Sequence, residues 1–356
     1  MVQLPKIKIS ALQEKLAPFI DKFKDRLSKE KISAGLDIGT SCVKLVRLKF
    51  LKESVELVDF AIEPSQIDLV PVLKKLTEGK KISKANISVS GMPAIIRYVP
   101  FLKMKPEELK QALKFEAQKH IPFSVSDVNL DAHTLKDGLP DNKMLVLVAA
   151  VKKEFVNQRL KIMESAGLRA RLIDVDSLAL INCFNFNYGD EIKANKKTVG
   201  LLNIGTVLSN LNIMDAEAPL LSRDIHFAGN HFSQKIQDAM GIDFKAAEQF
   251  KNAAPSDQLD KLERAVEPVV ANLAREIRLS FDYYESQNAS SVSKIFLSGG
   301  ASRMVGLKDS LASLLGIEVD YWDPLQKIII PETIDAQQMR PVLSQLAVAV
   351  GLALRQ

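Results

Sequence analysis

Ala34-Gly35-Leu36-Asp37-Ile38-Gly39-Thr40 and Gly200-Leu201-Leu202-Asn203-Ile204-Gly205-Thr206 align without a gap at an offset of 166 residues. A match at a domain-sized offset reads as an internal duplication, which demands two copies of one supersecondary unit and not a single unbroken core. Apolar runs flank each copy. Residues 32–36 and 43–48 read as strands joined by a short turn of Asp37 to Ser41, and 198–214 repeats strand, turn, strand. Each turn presents backbone N–H groups and hydroxyls at a sheet edge, a local device for holding phosphate oxygens. A lone Ile-Gly-Thr would be an ordinary hairpin, because glycine takes positive φ at no steric cost. Two facing copies can clamp one polyphosphate.

The 356 residues allow two or three domains, and 47% hydrophobic with 26% charged residues is globular composition. A third strand is expected at 56–62, a helix around 68–76, and a strand at 86–90. Pro106, followed by Glu107 and Glu108, opens a helix running to about His120. Strands around 128–134 and 144–151 and a helix over 152–166 follow, so residues 101–168 read as a β-and-α insert. The first domain resumes at 173–175 with a helix over 177–184. The polar stretch 185–197 is expected to be a linker and the main boundary. Beyond it come helices over 229–240 and 259–286, a strand at 294–297 ending in Ser298-Gly299-Gly300, and a closing helix over 341–354.

Charge and cysteine usage exclude several functions. Two cysteines, Cys42 and Cys183, cannot build a disulfide framework, and no Cys or His pair has metal-ligand spacing. Cys42 is read as a small buried residue without a redox role. The longest uncharged apolar stretches, 144–151 and 346–354, are eight and nine residues, against the roughly 20 that a spanning helix needs. With no secretory signal visible, the expectation is a cytoplasmic protein. The net charge of +5 is concentrated in residues 1–31, where eight basic residues face four acidic ones. The remainder is near neutral, which argues against nucleic acid as a partner. In this arm Leu12, Leu16, Phe19, Ile20, Phe23 and Leu27 recur at helical spacing. It reads as a basic amphipathic helix that docks on an anionic membrane surface or a partner groove, or else packs on its own domain.

Asp37-x-Gly39-Thr40-x-x-x-Lys44, Asn203-x-Gly205-Thr206, Leu297-Ser298-Gly299-Gly300 and the small-residue helix 347–353 resemble, in order, the two phosphate motifs, the adenosine motif and the last connecting helix of the actin-like ATPase superfamily. Within it the sequence resembles the PilM family of type IV pilus assembly proteins, related to FtsA. Ser88-Val89-Ser90-Gly91, Phe115-Glu116-Ala117 leading to His120-Ile121-Pro122-Phe123, and Arg303-Met304-Val305-Gly306-Leu307 extend the likeness over residues 32–356. The resemblance implies an α/β fold of two ribonuclease H-like halves. Residues 32–190 would form the first, with a 1C-type insert at 101–168. Residues 191–340 would form the second, and 341–356 would return to the first.

Carried over position by position, the resemblance implies Mg²⁺ held through water by Asp37 and ATP phosphates contacted by Gly39, Thr40, Ser41, Lys44, Gly205 and Thr206. A carboxylate suits a hard hydrated cation and an ammonium suits phosphate oxygens, although Lys44 also reads as a solvated strand lysine. Asn203 stands where many relatives have Asp. The missing charge weakens hydrolysis more than binding, so slow turnover at most is expected. Glu248 and Lys251 resemble the ribose- or adenine-reaching pair, and equally a solvated ion pair. Gly299, Gly300 and Arg303 complete the nucleotide set. Asp174 and Asp176 can orient water, but capping by Asp176 or Ser177 is simpler, and no catalytic base is assigned.

The function implied is a nucleotide-regulated scaffold, peripheral to the inner membrane, that docks the cytoplasmic tail of a PilN-like membrane partner. Phe101, Leu102, Leu113 and Phe123 are candidates for that groove, or for insert core. An FtsA-like filament protein with self-association is the alternative. A sugar-kinase-type phosphotransferase ranks lower, because no carboxylate base for a substrate hydroxyl can be identified.

Overall fold

A computed structural model of the chain describes residues 31–355. The basic arm of residues 1–30, and whatever it docks on, lies outside the described residues.

β1 (Lys31–Ile38), β2 (Cys42–Phe50) and β3 (Val55–Pro64) form an antiparallel meander. After α1 (Leu69–Thr77) the chain adds β4 (Lys84–Val89) parallel to β1. β5 (Ala94–Leu102), α2 (Pro106–Ala117), β6 (Val128–Leu139) and β7 (Lys143–Lys152) build a separate three-stranded sheet of order β5-β7-β6. α3 (Lys153–Ser165) and β8 (Arg169–Val175) return to the first sheet, where β8 pairs with β4 in parallel. α4 (Asp176–Asn195) then crosses to the second half.

The second half repeats the plan. β9 (Val199–Ile204), β10 (Ser209–Met214) and β11 (Pro219–Ile225) are a meander, followed by α5 (Gly229–Met240), α6 (Phe244–Ala253) and α7 (Leu259–Gln287). β12 (Lys294–Ser298) pairs in parallel with β9, and after α8 (Leu307–Leu315) β13 (Glu318–Tyr321) pairs in parallel with β12. β14 (Ile328–Ile329), α9 (Ala336–Met339) and α10 (Ala347–Ala353) end the chain. The sheet orders are β14-β3-β2-β1-β4-β8 and β11-β10-β9-β12-β13. Without β14 they are the same topology twice, the duplicated α/β architecture that the repeated motif implies.

Three boundaries differ from the sequence reading. The insert's own sheet occupies 94–152, not 101–168. α3 belongs to the first half, because Met163 is fully buried against Leu36, Val43 and Leu73 of that core. The linker expected at 185–197 is instead the C-terminal half of α4. Its polar texture misleads because Asn187 is buried: its amide donates to the Pro324 carbonyl at 2.9 Å, and its Oδ1 accepts from Lys327 N at 2.8 Å. The closing helix is shorter than expected, with a 3-10 segment at Arg340–Gln345 preceding α10. The return to the first half begins earlier, where Trp322, Leu325 and Ile328 enter its core.

α4 and α10 lie between the two halves in a shared apolar cluster with β2, β9 and Phe296. Phe184 anchors it, with ring centroids 4.9 Å from Phe296 and 5.2 Å from Trp322. Such pairs add about 0.5–1.5 kcal/mol beyond area burial. The helices approach so closely that a Cβ on Gly351 would lie 1.8 Å from the Ala179 carbonyl oxygen. This contact explains the small-residue texture of 347–353 and sets how the halves meet.

Candidate functional site

The β1–β2 and β9–β10 turns face each other across the junction of the halves. The Thr206 hydroxyl donates to Ser41 Oγ at 2.8 Å. Between the turns lies a cleft of about 110 Å³ whose lining includes Asp37, Gly39, Thr40, Ser41, Lys44, Asn203, Gly205, Thr206, Gly299 and Gly300. Both turns are tight against their own strands. A Cβ on Gly39 would sit 2.8 Å from Lys44 Nζ, and one on Gly205 2.8 Å from the Leu208 carbonyl oxygen. The second turn is also buttressed by α5, since Gly229 N donates to Gly205 O at 3.0 Å and Asn230 N to Thr206 O at 2.8 Å.

Antiparallel register sets the charges. Asp37 is opposite Lys44 on β1 and β2, and the 166-residue offset places Asn203 opposite Asn210 on β9 and β10. Lys44 Nζ lies 3.0 Å from Asp37 Oδ2, with the lysine side chain only 14% exposed. Lys44 is therefore not a solvated strand lysine. Burial opposes its charge most strongly, but the Asp37 carboxylate together with Cys42 and Asp176 outweighs it and leaves the pKa above the ordinary lysine value. The second half keeps the shape without the charges, with Asn203 Oδ1 accepting from Ser298 Oγ at 3.3 Å.

Asp176, the first residue of α4, also lines the cleft. Burial and the neighbouring Asp37 carboxylate push its pKa up from 3.8 to about 6, against the Ser88 and Ser90 hydroxyls and Lys44. It does not act as the helix cap, a position held by Val175 without a side-chain bond. Asp174 faces elsewhere, with Arg355 Nε 3.0 Å from its Oδ2. Sequence reasoning missed Ser90, Asn210, Gln345 and Val348 as cleft residues. The Ser88-x-Ser90-Gly91 match was a usable signal for the first, and the position of Asn210 opposite Asn203 for the second. Gln345 and Val348 carry none. Cys42 is half-buried in the cleft wall, its Sγ 3.8 Å from Gln345 Oε1, and is not the buried residue expected.

Of the expected adenosine-side residues, Gly299 and Gly300 line this cleft, whereas Glu248, Lys251 and Arg303 lie apart from it. Gly299 has φ +89°, and a Cβ there would stand 2.4 Å from the Ile204 carbonyl oxygen, so close strand packing requires glycine at this point. Arg303 is exposed on the 3-10 turn that follows. Glu248 and Lys251 do not line the cleft, nor are they a solvated pair. Lys251 is 2% exposed, and its Nζ lies 2.5 Å from Glu248 Oε1 and 2.8 Å from Ser233 Oγ. Burial lowers its pKa despite Glu248. It ties α6 to α5 beneath the second turn.

Beside the insert, a groove of about 450 Å³ is walled by Ala94, Ile95, Ile96, Phe123 and Lys152 on one side and Ser222, Asp224 and His226 on the other. Of the four apolar candidates for a partner groove, Phe123 lines it. Phe101 and Leu113 are 4% and 7% exposed in the insert core, while Leu102 is 64% exposed on the opposite strand face.

The sequence matches the family described as type IV pilus assembly protein PilM over residues 35–356. The chain belongs to the PilM family. It is similar to a solved structure described as the PilM-PilN type IV pilus biogenesis complex, with 26% identity and a TM-score of 0.81, over 91% of this chain and 98% of that one. It is also similar to the ethanolamine utilization protein EutJ from Carboxydothermus hydrogenoformans. There the identity is 14% and the TM-score 0.55, covering 96% of this chain and 99% of that one, a likeness of fold alone. The PilM family assignment and the duplicated sheets agree on an actin-like ATPase fold. Among the described residues no helix is long and apolar enough to cross a membrane.

Proposed function

We propose that this PilM-family chain is an ATP-binding scaffold on the cytoplasmic side of a pilus or related secretion assembly, peripheral to the inner membrane. Its partner in this reading is the cytoplasmic tail of a PilN-like membrane protein. The observation that carries the nucleotide half of the reading is the convergence of two matched turns, one bearing Asp37 and Lys44 and the other Asn203 and Asn210, on a single cleft.

The residues fit a metal-bound triphosphate. Asp37 is a carboxylate suited to hydrated Mg²⁺, and the glycine turns leave no side chain where phosphate would lie. Mg²⁺ when bound supplies neutralisation of phosphate charge. Asp37 would hold that ion through water. Lys44, exchanging its carboxylate for phosphate, supplies a point charge, and the Thr40, Ser41 and Thr206 hydroxyls donate to phosphate oxygens. The cleft of about 110 Å³ is smaller than the roughly 300 Å³ at which ligand pockets begin. Admission of ATP therefore parts the Thr206–Ser41 hydrogen bond and widens the angle between the halves. In this proposal Gly300, already in the cleft wall, Glu248 and Arg303 belong to the adenosine side, and the buried Lys251 holds Glu248 in place. Asn203 offers an amide where a carboxylate would raise the negative potential around an attacking water, so turnover is slow.

For the partner, the groove between the insert and the second half offers apolar walls of Ile95, Ile96 and Phe123 beneath polar rims. Calorimetric titration of MgATP tests the first half of the reading: binding is expected for the full chain and loss of at least about tenfold for Asp37→Ala. Turnover of tens per second, within the ordinary enzyme range, would contradict the scaffold reading. Titration with the N-terminal peptide of the PilN-like protein tests the second half.

A further inference from the structure

The nucleotide cleft and the insert groove share a wall. Ser90 and Asn210 line both cavities, and Asp176 of the cleft lies between Val175 and Ser177 of the groove. Asn210 is 5% exposed on β10, opposite Asn203 on one side and Asp224 on the other. Its Nδ2 donates to Asp224 Oδ1. Asp224 lines the groove and is absent from the cleft. The strand that carries Asp224 is in turn held by the insert: Tyr98 OH lies 2.8 Å from Ser222 Oγ, which donates to Asn212 Oδ1 at 2.6 Å. Lys136 of the insert also pairs with Glu217 beside that strand.

We infer that Asn210 and Asp224 form the link by which an occupant of the insert groove sets nucleotide affinity, with Asp224 a positioning residue acting through Asn210. The inference rests on the nucleotide reading above. Asn210 occupies the second-half position equivalent to Lys44, facing the place assigned to phosphate. An amide aimed at Asp224 is oriented away from phosphate, and an amide turned into the cleft leaves a carboxylate in the groove wall in need of a donor. A groove occupant that donates to Asp224 frees Asn210 for nucleotide, so each ligand favours the other. Linkage makes the effect reciprocal.

A double-mutant cycle read by MgATP titration of the full chain tests this. Asp224→Ala, outside the cleft, is expected to tighten MgATP binding by about threefold or more, within the usual span of coupling effects. In an Asn210→Ala background the same change is expected to do nothing. Lys152→Ala, another groove residue without a bond to Asn210, is the control and is expected to stay within about twofold. An Asp224→Ala effect of equal size in both backgrounds, or none in either, overturns the link. Absence of MgATP binding to the unaltered chain overturns the nucleotide reading itself and the link with it. If Asn210→Ala fails to fold, hydrogen exchange in the unaltered chain decides. MgATP must change protection across residues 222–226, and unchanged protection rejects the link.

Discussion

Lys44 faces Asp37 across one hairpin, while the equivalent pair in the other half is Asn203 and Asn210. The charged pair of the two matched hairpins is therefore present on one side only. Lys44→Ala is expected to weaken MgATP binding by about tenfold or more, as loss of a charge-assisted bond costs about 1.5–3 kcal/mol, read by calorimetry. Asn203→Asp restores the charge and is expected to raise turnover by about tenfold, measured as phosphate release. Asp176 adds a pH signature. Its folded pKa of about 6 exceeds the 3.8 of an ordinary carboxylate, so the folded chain holds this proton more tightly than the unfolded one. The group's contribution to stability thus falls as pH rises from 3.8 to about 6 and is flat above. Asp176→Asn is expected to add about 1–2 kcal/mol at pH 7.5 and little at pH 4, followed by denaturant unfolding.

At the scale of elements, the small-residue helix 347–353 is a packing requirement as much as a motif. Gly351→Val would drive a branched side chain into the Ala179 backbone. A loss of about 2–3 kcal/mol is expected in urea unfolding, since overpacking displaces backbone. Strands and most helices were legible because alternation and helical spacing are local properties of the chain. α4 was misread after residue 184 because its inward polar face is satisfied by the Pro324 and Lys327 backbone, 137 and 140 residues away in sequence. Local texture cannot report a partner so distant. The insert's limits were misdrawn for a related reason. α3 follows the insert directly in the chain but packs on the first sheet, and only burial of Met163 there assigns it.

At the scale of the molecule, two halves of one topology close on a cleft too small for a whole nucleotide, with the insert bridging to the second half through Tyr98 and Ser222. Tyr98→Phe removes that hydrogen bond and leaves the ring. It is expected to loosen the closed arrangement, seen as faster hydrogen exchange in 219–225 without a change of fold.

The sequence by itself determined the duplication, the PilM resemblance and the identities of Asp37, Lys44 and the two glycine turns, because hairpin turns and motif spacing are written in consecutive residues. Only tertiary structure decided that the turns oppose each other, that Phe101, Leu113 and Lys251 are interior, and that Asn210 serves two cavities. Those facts depend on how α4 and α10 cross between the halves, a contact made by residues far apart in the chain.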